Sequence, residues 1–366
     1  MICPYHQTCG GCTLWAVPFE TQGSKKINSV RQVFQQAGLD LPAQDKYRAV
    51  SDRGLRDRLD FQIRGSMIGL WNPPRTEITD LPECLQLSPA LQDLLTNFRR
   101  LPRPVAKGSF RLRVSAGGLR GVWLDFANDD VKRLFAEKSF LQELFTIADA
   151  VEIGQRRKAL ILQNGIPRLL KEPHFHPWTR TWIKGEAFGL SSRIADFSQV
   201  GDRANQALIE ALMDLLPREG KRLFEFGSGN GNLTFPALSR FREVCAFEFE
   251  SSATLGLQAS LESFRRHFPS IENRLKIHTG DFRKDPAALA QVDTVLVNPP
   301  RSGVGRFLEN LDSSEVDTLV YMSCYPESMA KDLAPLQKNW VCKDLILVDQ
   351  FPQTEHIEVL GRFIRR

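Results

Sequence analysis

The chain has 366 residues, enough for about two or three domains with a substantial buried core. Hydrophobic residues make up 42% and charged residues 25%, a balance typical of folded globular proteins that excludes long-range disorder, and the formal net charge of +5 permits a polyanionic partner without requiring one. The sequence has no run of about 18 apolar residues and no basic start followed by an apolar segment, so we expect a cytoplasmic protein without a membrane span.

Cysteines are concentrated at the amino terminus, where Cys3, Cys9 and Cys12 lie close together with two glycines between the last two. The glycines allow a tight turn in which both sulfurs point inward. Cys84, in the sequence DLPECLQLSP, is the nearest candidate for a fourth ligand. Four thiolates suit either zinc or an iron–sulfur cluster, and their spacing does not choose between the two.

The next segments change from a helical to a strand pattern. Residues 21–38 have apolar side chains at helical spacing and end at a glycine, which predicts a helix. Residues 47–189 contain short alternating segments such as LDFQIRG, MIGLW and FRLRV, separated by Gly, Pro and Asn. This pattern predicts a mostly antiparallel β or α+β layer, interrupted by a helix over about residues 129–148.

Basic residues cluster within this β-rich region. Residues 99–113 hold six Lys or Arg and no acid, and residues 155–184 hold seven basic residues against one acid, with Trp178 and Trp182 among them. Basic side chains neutralise phosphates and aromatic rings stack on unpaired bases, so this composition fits single-stranded or loop RNA. The alternative is a set of solvated strand faces with buried tryptophans, and composition alone leaves both open.

After about Gly201 the sequence pattern becomes typical of an α/β domain. A helix over residues 204–216 is followed by the strands LFEF, VCAFEF, RLKIHTG, TVLV and TLVYMS, which alternate with helical stretches. Short apolar strands separated by helices predict a doubly wound, mostly parallel sheet. The last two strands, DLILVDQF and HIEVLGRF, are close in sequence, and we expect them to form an antiparallel pair at the sheet edge.

These changes predict an α/β protein made of three consecutive segments. Residues 1–46 form a cysteine loop and a helix, and residues 47–190 form an α+β, β-rich domain that contains Cys84 and binds RNA. Residues 191–366 form a Rossmann-like domain with a doubly wound, mostly parallel sheet.

A cofactor site is predicted where the strands of this last domain end. The turn over residues 227–231, GSGNG, follows the first strand, and its glycines let the backbone approach a ligand closely. It lacks the lysine of a nucleotide-binding P-loop. Glu248, Asp281 and Asn298 follow the next strands, so all would line one crevice. A dinucleotide site is the nearest alternative, but this order of strand ends fits S-adenosylmethionine better.

The same edge carries candidate reacting groups. Cys324 follows the strand TLVYM, beside the predicted crevice, where a nucleophile is expected. The alternative for this residue is a buried structural thiol, the commoner role of a cysteine. The segment FPQTEHIE brings Glu355 and Glu358 towards the same cleft, and position alone does not choose between them.

The sequence resembles the RNA uracil-5-methyltransferase family from end to end, and within it the shorter ribosomal-RNA enzymes that lack an amino-terminal TRAM domain. The resemblance rests on the four cysteines, on Gln199 in DFSQVG and on the glycine turn with Glu248. It rests above all on three motifs: LVNPPRSGVG, SCYPESMAKDL and FPQTEHIEVL. Asn298, in the first of these, stands where many relatives have Asp and is similar to the ribosomal-RNA subgroup.

The resemblance implies specific roles. Cys324 would be the nucleophile that adds to carbon 6 of uracil, and Glu358 the base that removes the carbon 5 proton after methyl transfer. The residues implied to contact S-adenosylmethionine are Gln199, Gly227, Glu248 and Asn298. The residues implied to hold a [4Fe–4S] cluster are Cys3, Cys9, Cys12 and Cys84. The implied product is 5-methyluridine in 23S ribosomal RNA, with transfer RNA as the alternative substrate, made by a monomer that does not bind membranes.

Some positions depart from the family pattern. Tyr325 replaces the Asn that usually follows the nucleophilic cysteine, and Gly201 replaces an Asn found two residues after the glutamine. Gly227 and Ser228 stand where an aromatic residue and a cysteine are common. None of these changes removes a reacting group.

Two other functions are compatible with parts of the sequence. Exocyclic-amine methyltransferases also have NPP at this strand end, although an aromatic residue usually follows there, whereas Arg301 follows here. Those enzymes need no cysteine nucleophile. A catalytically silent RNA-binding protein is the other alternative, and the presence of both Cys324 and Glu358 argues against it.

Overall fold

The computed structural model describes residues 2–102, 105–125, 131–154, 158–170, 174–284 and 289–366. The strands are β1 (Lys46–Ala49), β2 (Arg58–Arg64), β3 (Met67–Trp71), β4 (Ile78–Asp80), β5 (Lys107–Val114), β6 (Arg120–Leu124), β7 (Ala150–Ile153), β8 (Lys158–Gln163), β9 (Ile166–Leu170), β10 (His176–Ile183), β11 (Glu186–Ser192), β12 (Gly220–Phe226), β13 (Phe241–Glu248), β14 (Leu275–Thr279), β15 (Thr294–Val297), β16 (Thr318–Ser323), β17 (Trp340–Asp349) and β18 (Glu358–Arg365). The α-helices are α1 (Phe19–Gln36), α2 (Pro89–Arg100), α3 (Val131–Ala136), α4 (Lys138–Ile147), α5 (Asp202–Leu215), α6 (Thr234–Ala237), α7 (Ser251–Arg265) and α8 (Pro326–Leu333). Across these described ranges, no helix is long and apolar enough to cross a lipid bilayer.

The chain divides into two compact units, each of which is discontinuous in sequence. Unit 1 contains Met1–Ala16, Asp52–Thr179 and Ser191–Asp202. Unit 2 contains Val17–Ser51, Arg180–Leu190 and Arg203–Arg366. The paired strands β10 and β11 each contribute residues to both units.

Unit 2 is built on a mostly parallel sheet. In the described part of the chain this sheet has eight strands, in the order β1-β17-β18-β16-β15-β12-β13-β14. Strand β12 is parallel to both of its neighbours, β13 and β15, so the strand order reverses at β12. Such a reversal opens a crevice at the carboxyl ends of the strands, where α/β proteins bind their ligands. The predicted doubly wound domain is therefore confirmed.

Helices cover both faces of this sheet. On one face Val30 and Phe34 of α1 and Met329 of α8 join the apolar cluster formed by β12, β15 and β16. On the other face, Leu212 of α5 and Phe264 of α7 complete a second apolar cluster. Burial on two faces explains why these strands are continuously apolar rather than alternating.

Strands β17 and β18 form the antiparallel pair that the sequence predicts, but the pair does not lie at the sheet edge. Strand β1 pairs in parallel with β17 and forms the edge itself, with Lys46 opposite Ile346. Strand β18 lies inside the sheet, between β17 and β16. The predicted edge position is wrong because β1 is a four-residue strand whose partner is far along the chain, so no local pattern reveals the pairing.

Unit 1 contains the predicted β-rich layer. Within the described residues its sheet has the order β4-β3-β2-β5-β6-β7-β8-β9, and only the β6–β7 pair is parallel. Phe98 of α2 stacks on Phe110 of β5, with ring centroids 4.2 Å apart, and packs edge-on against Phe140 of α4. The helix predicted over residues 129–148 appears as α3 and α4, and its first two residues lie outside the described ranges.

The division into two units differs from the three consecutive segments expected from the sequence. Helix α1 and strand β1 belong to unit 2, because β1 pairs with β17 and α1 packs against α8. The cysteine loop belongs to unit 1 together with the β-rich sheet. Residues 191–202 also belong to unit 1 rather than to the α/β unit.

A buried ion pair attaches α1 to the end of β17. The ammonium of Lys26 lies 2.7 Å from both carboxylate oxygens of Asp349, and the two side chains are 1% and 0% exposed. The hydroxyl of Tyr47, on β1, donates to the same carboxylate over 2.8 Å. Because a buried charge is costly without its partner, these contacts hold the amino-terminal segment in one position on the sheet.

We predict that Lys26→Met lowers the free energy of unfolding by about 3–5 kcal/mol, because it leaves the Asp349 carboxylate buried without its counter-ion. The neighbouring residue provides a matched control, since Lys25 pairs with Glu355 at the surface. Lys25→Met is expected to change the free energy of unfolding by less than about 1 kcal/mol. Urea unfolding followed by circular dichroism measures both variants, and equal losses would contradict the prediction.

Candidate active site

Predicted site residues meet at one edge of the unit 2 sheet. Gly227 follows β12, Glu248 ends β13, Asn298 follows β15 and Cys324 follows β16. These strands are parallel, so their carboxyl ends lie at the same edge. Strand β18 is antiparallel to β16, and Glu358 at its start therefore lies at that edge as well. The sequence rule that functional groups gather at carboxyl strand ends correctly locates this set.

The glycine turn approaches the chain after β15 so closely that a side chain does not fit. Gly227 has φ +75°, and a Cβ atom there would lie 2.4 Å from the carbonyl oxygen of Asn298. The backbone N–H of Asn298 donates to the carbonyl of Phe226 over 3.0 Å. Gly227 is thus required both by its left-handed backbone and by this close approach of the two chain segments.

Glu248 is bound to the same turn. One oxygen of its carboxylate accepts from the backbone N–H of Gly229 and the other from that of Glu250, both over 2.8 Å. The side chain is only half-buried, and its carboxylate has further lone pairs beyond those that these two hydrogen bonds use. Glu248 both orders the turn and presents a hydrogen-bond acceptor for a bound ligand.

A second acid, Glu225, lies beneath this turn and was given no role by the sequence analysis. It is fully buried on β12, and the hydroxyl of Thr234 donates to its Oε2 over 2.6 Å. Its Oε1 makes no hydrogen bond to any residue that the structure describes. Burial raises the pKa of Glu225 to about 8, so the group is mostly neutral at pH 7. The sequence feature that could have identified Glu225 is the presence of an acid inside the otherwise apolar strand LFEF.

Cys324 lies between β16 and α8 and is half-buried. Burial is the main cause that raises the pKa of its thiol, and the nearby Glu358 raises it further. A hydrogen bond from the Arg301 side chain to the sulfur, together with its positive charge, acts in the opposite direction. Arg301 follows the NPP sequence, and the sequence analysis assigned it no role at the thiol.

The structure distinguishes the two acids that sequence position left open. Glu358 is buried, and the amide of Gln350 donates to its Oε2 over 2.8 Å. Burial raises the pKa of Glu358 to about 7. Glu355 is instead exposed and pairs with Lys25 over 3.1 Å. Of these two acids, Glu358 is the one that is buried and close to Cys324.

Gln199 lies in unit 1, whereas Gly227, Glu248 and Asn298 lie in unit 2. The chain around it is held by several polar contacts within unit 1. Glu152 accepts from the backbone N–H groups of Ile194 and Ala195, and Asp57 donates its own N–H to the carbonyl of Val200. A Cβ atom at Gly201 would lie 2.0 Å from the carbonyl oxygen of Leu55, which explains why the Asn of the family pattern does not fit here.

The four predicted cluster ligands line one cavity of unit 1. This cavity encloses about 70 Å³, and its lining cysteines are Cys3, Cys9, Cys12 and Cys84. Gly10 brings the loop against β3, since its N–H donates to the carbonyl of Trp71 and a Cβ atom there would lie 2.7 Å from the same oxygen. In the part of the chain that the structure describes, no group of three or more His, Cys, Asp or Glu side chains is arranged to hold a metal ion.

Much of the predicted basic cluster serves the fold of unit 1. Arg99 forms a two-point ion pair with Asp80, and Arg111 donates to Asp60 and to backbone carbonyls. Arg113 is fully buried and lies over the ring of Trp178, which is itself buried and so cannot stack on a base. Arg100 and Lys107 remain exposed. Residues 103, 155–157 and 171–173 of the two basic stretches lie outside the described ranges.

Exposed aromatic rings occur next to predicted site residues instead. Phe249 follows Glu248 and is 70% exposed, and Tyr325 follows Cys324 and is 41% exposed. In unit 1, Phe197 precedes Gln199 by two residues and is 74% exposed. Large exposed rings beside polar groups are typical of surfaces that stack on bases. Of these rings, the sequence analysis singled out Tyr325, as a departure from the family pattern, but neither Phe249 nor Phe197.

The chain is similar to known RNA-modifying proteins over almost its whole length. A family model described as tRNA (uracil-5-)-methyltransferase matches residues 284–366. An uncharacterized RNA methyltransferase of Bdellovibrio bacteriovorus is 42% identical over 98% of this chain and 94% of the relative. A 23S rRNA (uracil(1939)-C(5))-methyltransferase of Tolumonas auensis is 27% identical over 100% of this chain and 82% of the relative. The same fold is found in the crystal structure of Pyrococcus abyssi tRNA (uracil-54, C5)-methyltransferase in complex with S-adenosyl-L-homocysteine. The two structures superpose with a TM-score of 0.70 at 18% sequence identity, and the match covers 98% of this chain and 86% of that one.

We predict that Arg301→Ala slows alkylation of Cys324 by iodoacetamide near neutral pH, because loss of the cationic hydrogen bond raises the pKa of the thiol further. Only the thiolate reacts, so a pKa rise of about one unit corresponds to roughly a tenfold lower rate. Peptide-resolved mass spectrometry follows Cys324 separately from the other cysteines. Arg306→Ala is the matched control, since Arg306 is exposed and pairs with Glu309; an equal effect from both variants would contradict the assigned contact.

Proposed function

The chain belongs to the RNA uracil-5-methyltransferase family, and from this premise we propose that it methylates carbon 5 of a specific uridine, with S-adenosylmethionine as the methyl donor and 23S ribosomal RNA as the substrate. The observation that carries the proposal is the arrangement around Cys324. A thiol beside the crevice has Arg301 as a hydrogen-bond donor and a buried carboxyl, Glu358, as its neighbour. That combination suits a reaction that needs both a nucleophile and a base.

The reaction requires a nucleophile because carbon 5 of uracil is too electron-poor to take a methyl group directly. Addition of the Cys324 thiolate to carbon 6 makes the ring an enolate and places electron density on carbon 5. S-adenosylmethionine supplies the methyl group that carbon 5 then takes. Arg301 favours the thiolate form of Cys324, and so opposes the effect of burial on this thiol.

The second half of the reaction requires a base. After methylation carbon 5 still carries its proton, and removal of that proton lets the ring expel the Cys324 thiolate and regain its double bond. We assign this role to Glu358, and burial, which raises its pKa to about 7, supports proton exchange near neutral pH. Gln350 donates to one oxygen of Glu358 and orients the carboxyl for this role.

The crevice supports binding of S-adenosylmethionine. A side chain at Gly227 would clash with the backbone of Asn298, and Glu248 offers carboxylate oxygens for the ribose hydroxyls. The carbonyl of Asn298 lies against the glycine turn. Gln199 matches the glutamine of the family motif, and its role in binding S-adenosylmethionine stays a prediction from that resemblance.

The choice of ribosomal RNA as the substrate rests on relatives that are named 23S rRNA methyltransferases and on Asn298, which is similar to the ribosomal-RNA subgroup. The matching family model and the structural neighbour are instead named for transfer RNA. Either RNA must expose the target uridine, because both faces of the base have to be reached. Tyr325 and Phe249, which are exposed beside the reacting and binding residues, are suited to stack on a base turned out of its helix.

We predict that Glu358→Gln accumulates a methylated covalent complex with 23S ribosomal RNA, because the variant still adds the thiol and takes the methyl group but cannot remove the proton. A denaturing gel with radiolabelled S-adenosylmethionine detects the complex as a shifted, labelled band. Parallel reactions with transfer RNA transcripts decide between the two substrates.

Two controls complete this test. Glu355→Gln should turn over almost normally, because Glu355 is exposed and paired with Lys25. Cys324→Ala should give neither product nor complex. Full activity of Cys324→Ala would exclude the covalent mechanism and favour an exocyclic-amine methyltransferase, and a complex trapped by Glu355→Gln alone would reverse the assignment of the base.

The cysteine cavity of unit 1 supports a further proposal, a [4Fe–4S] cluster. Cys3, Cys9, Cys12 and Cys84 are distributed around a cavity of about 70 Å³. A single zinc ion needs its sulfurs at about 2.3 Å from one point, whereas a cluster of several atoms fills the space between them. A bound cluster would cross-link the amino-terminal loop to the segment that precedes α2.

We predict that protein purified without oxygen is brown and contains roughly four iron atoms per chain. Cys84→Ser should lose most of this iron, whereas Cys342→Ser should retain it, because Cys342 is a buried thiol of the other unit. Metal analysis by mass spectrometry measures both variants. Stoichiometric zinc without iron would show that the four thiols form a zinc site instead.

A further inference from the structure

Asp332, on α8, is a buried carboxylate with no role in the reaction described above. It is 5% exposed, and its Oδ2 accepts from the backbone N–H of Val304 and from the hydroxyl of Tyr321, both over 2.7 Å. Its Oδ1 accepts from the backbone N–H of Gly305 over 3.0 Å. The carboxylate therefore joins helix α8, strand β16 and the loop that follows β15.

The loop lies directly against this carboxylate. Gly303 has φ +76°, and a Cβ atom there would lie 2.3 Å from Oδ2 of Asp332. Only glycine permits such an approach, and the backbone N–H of Gly303 also donates to the carbonyl of Pro300 over 2.9 Å, which closes the loop on itself. The position of residues 300–305 is thus determined by contacts to Asp332 and within the loop.

These contacts connect the chain segment that carries Cys324 with the one that carries Arg301. Cys324 lies in the chain between Tyr321 and Asp332, which are linked to each other by a hydrogen bond. Arg301 lies in the chain just before the loop residues that Asp332 holds, and its side chain bonds the Cys324 sulfur. If the carboxylate releases the loop, Arg301 is no longer held near the Cys324 sulfur.

The charge state of the network favours this arrangement. Burial and the adjacent carboxylate raise the pKa of Tyr321, so its hydroxyl stays protonated and donates. Two backbone N–H groups share the same carboxylate. A buried carboxylate with several donors is well satisfied, and deletion of it leaves those donors buried without an acceptor.

We propose that Asp332 is a positioning residue, which holds the loop at 300–305 so that the guanidinium of Arg301 reaches the Cys324 sulfur. The catalytic consequence rests on the proposed function, since it concerns the same thiol. The contact between Arg301 and Cys324 does not rest on the proposed function, because it can be measured on the protein alone, without RNA or S-adenosylmethionine.

The test measures the rate of Cys324 alkylation against pH in Asp332→Ala, Arg301→Ala and the double variant. Asp332→Ala should slow alkylation near neutral pH severalfold and shift its pH profile upward, as Arg301→Ala does. The double variant should react no more slowly than Arg301→Ala alone, because both changes remove one contact. Additive effects, or an unchanged pH profile in Asp332→Ala, would overturn the proposal and leave Asp332 a purely structural role.

Two further variants separate positioning from stability. Tyr321→Phe keeps the loop contacts of Asp332 and should alkylate like the wild type, even where its unfolding midpoint falls. Gly303→Ala keeps every polar group but displaces the loop, and should reproduce the slow alkylation. If Asp332→Ala does not fold, Gly303→Ala decides by the same criterion: normal alkylation in a folded Gly303→Ala protein would overturn the proposal.

The proposed function is judged separately. Formation of a covalent RNA complex by the Glu358→Gln variant tests the reaction, and the alkylation profiles test the loop. A shifted alkylation profile in Asp332→Ala, together with no RNA complex from Glu358→Gln, would retain the positioning role and reject the proposed reaction. An unchanged profile together with an RNA complex would retain the reaction and reject the positioning role.

Discussion

The antiparallel pairing of β18 with β16 is the constraint on which the rest of the site depends. Ser323 lies opposite Val359, so the start of β18 meets the end of β16. All neighbouring strands up to β13 run parallel to β16, and their carboxyl ends carry the crevice. One strand of opposite direction, inserted inside the sheet, therefore brings Glu358 to the edge where Cys324 lies. A parallel β18 would place its first residue at the opposite edge, about 20 Å away at the usual rise per residue.

Burial at this edge disfavours the charged forms of Cys324 and Glu358, and side chains from the surrounding loops act in the opposite direction. Burial raises the pKa of Cys324 and of Glu358, and the nearby Glu358 raises the pKa of the Cys324 thiol further. Arg301 is the cation that offsets this at the sulfur, and Gln350 is the neutral donor at the carboxylate. The thiol thus has a charged partner and the carboxyl a neutral one, and Arg301 offsets part of the rise that burial causes in the pKa of the thiol.

The amino-terminal segment contributes to the same site from a distance in sequence. Lys26 and Tyr47 hold Asp349 at the end of β17, and the next residue, Gln350, donates to Glu358. Gln22 also exchanges hydrogen bonds with Gln353, a residue with φ +64° in the loop between β17 and β18. Helix α1 and strand β1 therefore hold the loop that leads to Glu358.

The sequence by itself determined the local elements and the strand ends at which chemistry is found. The glycine turn, Glu248 and Cys324 could be located because each depends on a pattern of a few neighbouring residues, and because carboxyl ends of parallel strands share an edge. The tertiary structure alone showed that Glu358 is buried and Glu355 exposed, placed Arg301 at the thiol and added β1 to the edge of the sheet. It also showed that Arg113, in the first basic stretch, is buried. Exposure, charge partners and strand neighbours depend on residues far apart in the chain, and no local pattern contains that information.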